Sequence, residues 1–197
     1  MGLTMGEPCP ELDIQELVLP ELDTSKPEAG ANLRQWFALT VKYQHERRVD
    51  GILSANGVDT FLPLYRARRQ WSDRAKDIDA PLFPGYVFGR FRLHDRARIM
   101  NMPGVARIVS FAGLPTPVAE QEIENVRAAL ASKLSVRPWP YLLKAGDRVR
   151  IERGPLRGLE GTLLRDGSFL RLVLSVEMLQ RSLAVEVDPD MVGPLSN

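Results

Sequence analysis

The side chains able to move a proton or hold a metal are few and scattered. His45-Glu46 follows an apolar run at the start of a helical pattern, and His94 stands beside Asp95. Either pair could pass a proton, yet neither is accompanied by a nucleophile or a metal-ligating set, so capping, hydrogen bonding or surface solvation accounts for both. The single cysteine, Cys9, lies between Pro8 and Pro10. One thiol excludes an internal disulfide framework and any multi-cysteine metal site. There is no Gly-Lys-Ser/Thr phosphate loop, no His-Glu-x-x-His zinc motif and no Gly-x-Ser-x-Gly elbow. The chain is therefore read as a non-enzyme that needs no cofactor and no metal. The chemistry left to it is recognition.

Two groups of residues suit recognition. Arg66, Arg68, Arg69, Arg74 and Lys76 place five cations among eleven residues, with Trp71 interleaved and Asp73 as the local counter-charge. Such a tip suits a phosphate backbone, with the indole free to stack on a base. A solvated loop whose charges keep a hairpin soluble explains it almost as well. Arg47, Arg48, Arg90, Arg92, Arg96 and Arg98 could extend the patch. The second group is aromatic: Trp36, Phe37, Phe61, Phe83 and Tyr86, with Pro84. Aromatics of this kind either form core or anchor a partner in a shallow apolar patch. Alternation along Phe83-Pro84-Gly85-Tyr86-Val87-Phe88 must turn one subset away from the other. Phe83 is expected outside the core, and Phe37 and Phe88 inside it.

The elements that position these groups follow from composition and period. Of 197 residues, 44% are hydrophobic and 26% charged, the balance of a globular protein. No apolar run approaches the ~20 residues needed to cross a bilayer, and the acidic start lacks a signal-peptide pattern, so a cytoplasmic protein is expected. The net charge of +1 hides an asymmetry: residues 1–33 carry 1 − 7 = −6, residues 34–137 carry 17 − 10 = +7, and residues 138–197 carry 8 − 8 = 0. Residues 1–33, with four prolines, predict an acidic, disordered tail. From there the pattern predicts strands at 35–41, 58–65, 82–91 and 105–111, and helices at 44–55, 95–102 and 120–134. Residues 66–80 are predicted as an exposed loop or hairpin tip. Ile123, Val126, Leu130 and Leu134 form the stripe of the last helix, whose first turn is acidic. The order β-α-β-β-α-β-α predicts an α+β domain, an antiparallel sheet with helices on one face. Pro138 and Pro140 mark a linker at 135–143. Residues 144–197 then alternate in short strands around Gly154, Gly158 and Gly161, the texture of a small β-barrel.

Two stretches carry a family resemblance. Phe83-Pro84-Gly85-Tyr86-Val87-Phe88, preceded by Trp36-Phe37-Ala38-Leu39 and Phe61-Leu62-Pro63, resembles the N-terminal (NGN) domain of NusG/RfaH family transcription factors. Ala145-Gly146-Asp147-Arg148-Val149-Arg150-Ile151, continuing through Gly154-Pro155-Leu156-Arg157-Gly158-Leu159-Glu160-Gly161, resembles the KOW motif of their C-terminal SH3-like barrel. The likeness spans residues 34–192. It implies a ferredoxin-like NGN domain at 34–134 and a KOW domain at 144–197.

The resemblance further implies that the sheet domain grips the clamp helices of the largest RNA polymerase subunit, through Phe83, Pro84, Tyr86, Trp36, Phe37 and Phe61. The basic set Arg66, Arg68, Arg69, Trp71, Arg74 and Lys76 would then meet non-template DNA or nascent RNA. Met178, Leu179 and Arg181 fall where the family's barrel meets a ribosomal protein or the termination factor Rho, although Leu179 replaces an aromatic common there. The expected molecule is a monomer that suppresses pausing or termination, on particular long operons. In one branch of the family the barrel region can become a helical hairpin; Val173, Val176, Val185 and Val187 favour strands here. The competing reading is a KOW-type RNA-binding accessory protein of the ribosome, against which the neutral charge of residues 138–197 argues.

Overall fold

The computed structural model describes residues 33–70, 75–139, 147–166 and 168–194. In chain order the first part contains β1 (Gln35–Val41), α1 (Glu46–Ala55), β2 (Asp59–Phe61), β3 (Leu64–Gln70), β4 (Ala75–Pro81), β5 (Tyr86–Phe91), α2 (Arg96–Met100), β6 (Val105–Ile108), β7 (Ser110–Phe111), β8 (Leu114–Pro115) and α3 (Glu120–Ala131). The second contains β9 (Val136–Trp139), β10 (Asp147–Ile151), β11 (Glu160–Asp166), β12 (Phe169–Val176), β13 (Arg181–Val187) and β14 (Val192–Pro194). The acidic tail lies outside the described residues.

Four strands form an antiparallel sheet in the order β2-β5-β1-β6, with β1 at its centre between β5 and β6. Side chains alternate across β1, and each set finds its own helices. Phe37, Leu39 and Val41 pack with Val49 and Leu53 of α1, Ile99 of α2, and Val87 and Phe91 of β5. Phe37 stacks on Phe91 with centroids 4.8 Å apart. Trp36, Ala38 and Phe88 turn to the opposite face and pack with Ile123, Val126 and Ala129 of α3. Because both faces are covered, β1 reads as a continuous apolar run. Burying a side chain the size of Phe37 or Leu39 contributes roughly 1.5–3 kcal/mol.

The α+β class is as expected, while the strand predicted at 58–65 is divided at Pro63, which parts β2 from β3. Within the stretch 66–80, expected as a loop or hairpin tip, residues 66–70 and 75–80 belong to a two-stranded ribbon, β3 paired with β4 from Leu64↔Pro81 to Gln70↔Ala75. The ribbon forms because Tyr65, Ala67, Ile78 and Ala80 alternate with charged residues, a period-2 signal hidden by the density of arginine.

The second sheet runs β14-β10-β11-β12-β13-β9. Its interior is Val149, Ile151, Leu156, Leu172, Leu174, Leu183, Val185 and Val187. Gly161 is required there: a Cβ would lie 2.7 Å from the Val173 carbonyl oxygen. Part of the expected linker, Val136–Trp139, is a strand of this sheet, paired with β13. The apolar cluster that begins under α3 continues into the barrel, with Leu130, Leu134, Val136 and Met178 packed against it. No described helix is long and apolar enough to cross a membrane.

Candidate functional site

The Phe83–Tyr86 stretch is a tight turn leading into β5. The Tyr86 N–H donates to the Phe83 carbonyl (3.1 Å), and the Val41 N–H donates to the Gly85 carbonyl (2.9 Å). Gly85 adopts φ +84°, a left-handed conformation that side chains with a Cβ disfavour. Its own N–H donates to Glu46 Oε1 at 2.9 Å, and Glu46 is buried in the first turn of α1. The turn is thus pinned on one side by β1 and on the other by a helix carboxylate.

This geometry decides which aromatics face out. Phe83 is only 2% exposed and lies edge-on to Phe88, centroids 6.1 Å apart and planes at 81°. The expectation that Phe83 stands outside the core is corrected: the turn projects Pro84 and folds Phe83 beneath it. Pro84 is exposed, and Tyr86 and Phe61 are half-buried. Trp36 and Phe37 are buried. Trp36 is held by its indole N–H, which donates to Glu120 Oε1 at 3.1 Å. The Arg127 guanidinium lies 5.0 Å from the Trp36 ring centroid and 4.9 Å from that of Phe61, a cation–π contact to each ring. The solvent-facing remainder of the aromatic group is Pro84, with parts of Tyr86 and Phe61.

In the β3–β4 ribbon, Arg66 and Arg68 are exposed, as is Lys76. Pairing sets Asp79 across from Arg66 and Asp77 across from Arg68, so the ribbon carries more counter-charge than Asp73 alone. Arg69 pairs with Lys76 by backbone register, while Trp71 and Arg74 lie outside the described residues. Several flanking arginines are engaged locally. Arg47 donates to the Asp79 carbonyl at 3.1 Å, Arg98 to the Asn56 carbonyl, and Arg90 pairs with Glu120 at 3.4 Å.

In the barrel, Leu179 is buried, Met178 half-buried and Arg181 exposed. Leu179 is a core residue because the turn Glu177–Leu179 folds back before Gln180, which takes φ +48°. The same turn meets the sheet domain: the Glu177 N–H donates to Glu122 Oε1 of α3 at 3.2 Å. Burial pushes the Glu122 carboxyl above its ordinary range, and the nearby Glu177 charge adds to the rise. The cleft between them is lined by Gln121, Glu122 and Asn125 on one side and Arg148, Glu160 and Glu177 on the other. Among the described residues no His, Cys, Asp and Glu group could hold a metal ion.

Glu46 and Arg127 are the residues that sequence reasoning missed. An acid in a first helical turn reads as a dipole partner, and nothing in the chain ties Glu46 to a turn 39 positions away. Arg127 falls in the predicted helix, but the Trp36–Phe61 gap it fills exists only once the sheet has formed.

Comparison with known proteins agrees with this architecture. A family profile described as "Transcription termination factor nusG" matches residues 34–127. The "Transcription termination/antitermination protein NusG" of Lactococcus lactis is 30% identical over 167 residues, covering 78% of this chain and 89% of that protein. The protein of the same name from Vibrio parahaemolyticus is 30% identical over 143 residues, 70% of this chain and 78% of its own. A solved structure described as "Domain interaction in Thermotoga maritima NusG" aligns with a TM-score of 0.52 at 23% identity, covering 85% of this chain and all of that one, and so bears on the fold. With this similarity spanning both the sheet domain and the barrel, the chain belongs to the NusG family.

Proposed function

We propose that this chain is a transcription elongation and antitermination factor that binds the clamp helices of RNA polymerase through its sheet domain and suppresses pausing or termination on particular long operons. The observation that carries the reading is the Phe83–Tyr86 turn, with Pro84 exposed beside half-buried Tyr86 and Phe61. A helix tip docking on such a patch gains most of its energy from a few anchors. Here the anchors are Pro84, Tyr86 and Phe61; Phe83, Trp36 and Phe37 support them from beneath. The β3–β4 ribbon, through Arg66, Arg68 and Lys76, contacts non-template DNA or nascent RNA. The barrel recruits a second partner, a ribosomal protein or Rho, through the surface around Met178 and Arg181.

The contact between α3 and the barrel gives this function two states. With the barrel docked, the Glu177–Leu179 turn lies against α3, joined to it by the Glu177 N–H on Glu122 Oε1. The second partner then gains access only when the barrel lifts. Binding to core RNA polymerase with clamp-helix tips intact or deleted tests the central claim. Binding is expected to be lost on deletion, and to fall at least tenfold with Tyr86→Ala in intact polymerase. Equal binding to both polymerases would overturn the reading.

A further inference from the structure

The neutral charge of the barrel conceals a segregation. Arg148, Arg150, Arg153 and Arg157 stand within one short stretch, with Glu152 as the acid among them. Glu177, Glu186, Asp188 and Asp190 come later, with Arg181 as their counter-charge. The four arginines fall on β10 and on the loop 152–159 that joins it to β11. Val149 and Ile151 point inward from β10, so alternation sets Arg148 and Arg150 on its outer face, about 6.6 Å apart along the strand. All four are exposed.

The loop that carries two of them has a fixed shape. Gly154 and Gly158 take left-handed backbone, at φ +84° and +89°. The Arg157 N–H donates to the Gly154 carbonyl at 3.2 Å, and the Gly158 N–H to the Ile151 carbonyl at 2.7 Å. Leu156 is fully buried beneath, and Met191 lies beside Gly154. On this base Arg153 and Arg157, with Arg150, line a cleft of about 460 Å³. Glu160 engages Arg150, and the Glu152 carboxylate lies against Gly193 of β14. Arg148, Arg153 and Arg157 form no ion pair among the described residues, with Asp188 or Asp190 or any other acid.

We propose that the outer face of β10 and the loop 152–159 form a nucleic-acid site that takes the phosphodiester backbone. Guanidinium groups grip phosphate oxygens with paired N–H donors, and a row of them suits a repeating anion. Neither β10 nor the loop contains an aromatic residue, so no base is stacked and binding is alike for all sequences. An acidic protein segment would meet the same charges but few anchors: Leu156 and Leu159 are buried, which leaves Pro155 as the exposed apolar side chain of the loop. The neutral sum over residues 138–197 is thus an average of two opposed stretches. The site shares no residue with the β3–β4 ribbon and does not rest on the polymerase reading.

The test uses the isotope-labelled full chain, with an oligouridylate, a short DNA duplex and inorganic phosphate as probes. The two oligomers are expected to shift the Gly154, Arg157 and Gly158 amide resonances, and the one that does so at lower concentration identifies RNA or duplex DNA as the preferred source. Free phosphate at the same phosphate concentration is expected to leave them in place. Arg153→Gln with Arg157→Gln keeps the glycines that shape the loop. This pair is expected to weaken the oligouridylate response of the loop about tenfold at low salt, and to flatten the dependence of log affinity on log salt by about 1.4, near 0.7 for each single-strand phosphate. Arg66→Ala with Arg68→Ala is expected to leave the loop shifts unchanged. Oligomer shifts confined to the ribbon, loop shifts that survive the glutamine pair, an equal response to free phosphate, or no shift at all would each overturn the proposal.

Discussion

Glu122 of α3 accepts the backbone N–H of Glu177 across the gap between the sheet domain and the barrel, at 3.2 Å. Burial is the largest influence on this carboxyl and raises its pKa; hydrogen bonds from the Glu177 and Ala119 amides oppose the rise, and the Glu177 carboxylate adds to it. Arg148 and Glu160 also line the cleft. A carboxyl whose pKa is raised in the docked state binds more protons docked than undocked. The docked arrangement is therefore favoured at acid pH and weakened as pH rises through the raised pKa. Interdomain dipolar or small-angle scattering measurements from pH 4 to 8 are expected to show a more open population toward pH 8. Glu122→Gln keeps an acceptor without the charge, so it is expected to hold the docked state and flatten the pH response.

Phe83 is a core residue, so its truncation is a stability experiment. Phe83→Ala removes the ring that meets Phe88 edge-on and is expected to cost about 3–5 kcal/mol in urea unfolding of the sheet domain. Phe83→Leu, which leaves a smaller void, is expected to cost distinctly less. A loss under ~1 kcal/mol for Phe83→Ala would show that the side chain is not packed as described. Any effect of Phe83→Ala on partner binding must accordingly be compared with Tyr86→Ala, at a side chain that is only half-buried at the edge of that core.

The Glu46–Gly85 bond sets the shape of the exposed turn. Glu46→Ala leaves the Gly85 N–H without its acceptor and is expected to cost about 1–3 kcal/mol. Gly85→Ala places a Cβ in open space, so its cost is the backbone strain of φ +84°, about 1–2 kcal/mol. Both are expected to lower partner affinity beyond their effect on folding, because both displace Pro84. Equal affinity in a folded Glu46→Ala protein would detach the turn from recognition.

Much of this was legible along the chain. The strands Gln35–Val41 and Tyr86–Phe91 announce themselves as apolar runs, and the stripe of Ile123 and Val126 places α3 without ambiguity. The division of β1 between two helical faces follows from alternation once a second layer is known to exist. What stayed hidden depends on partners distant in sequence. Phe83 and Pro84 are neighbours in the chain, and only the turn pinned by Glu46 decides which of them is buried. Pro138 signals a break in a sequence window, yet at the outer position of an edge strand it breaks nothing. The arginines of β3 look uncompensated until the ribbon closes and sets Asp77 and Asp79 across from them.

That pairing bears directly on nucleic-acid binding. Arg66 and Arg68 are exposed and form no ion pair among the described residues, although each faces an aspartate across the ribbon. If they bind phosphates, Arg66→Ala with Arg68→Ala is expected to weaken nucleic-acid binding alike for all sequences. It should also flatten the dependence of log affinity on log salt by about 2, near 0.9 for each duplex phosphate no longer neutralised. Asp77→Asn with Asp79→Asn should act the other way, raising affinity at low salt by removing local repulsion of the backbone. Fluorescence anisotropy with a duplex and with a single strand, each across a salt series, measures both pairs. An unchanged slope in the arginine variant would assign these side chains to solvation of the ribbon, and the aspartate variant would then leave affinity unmoved as well.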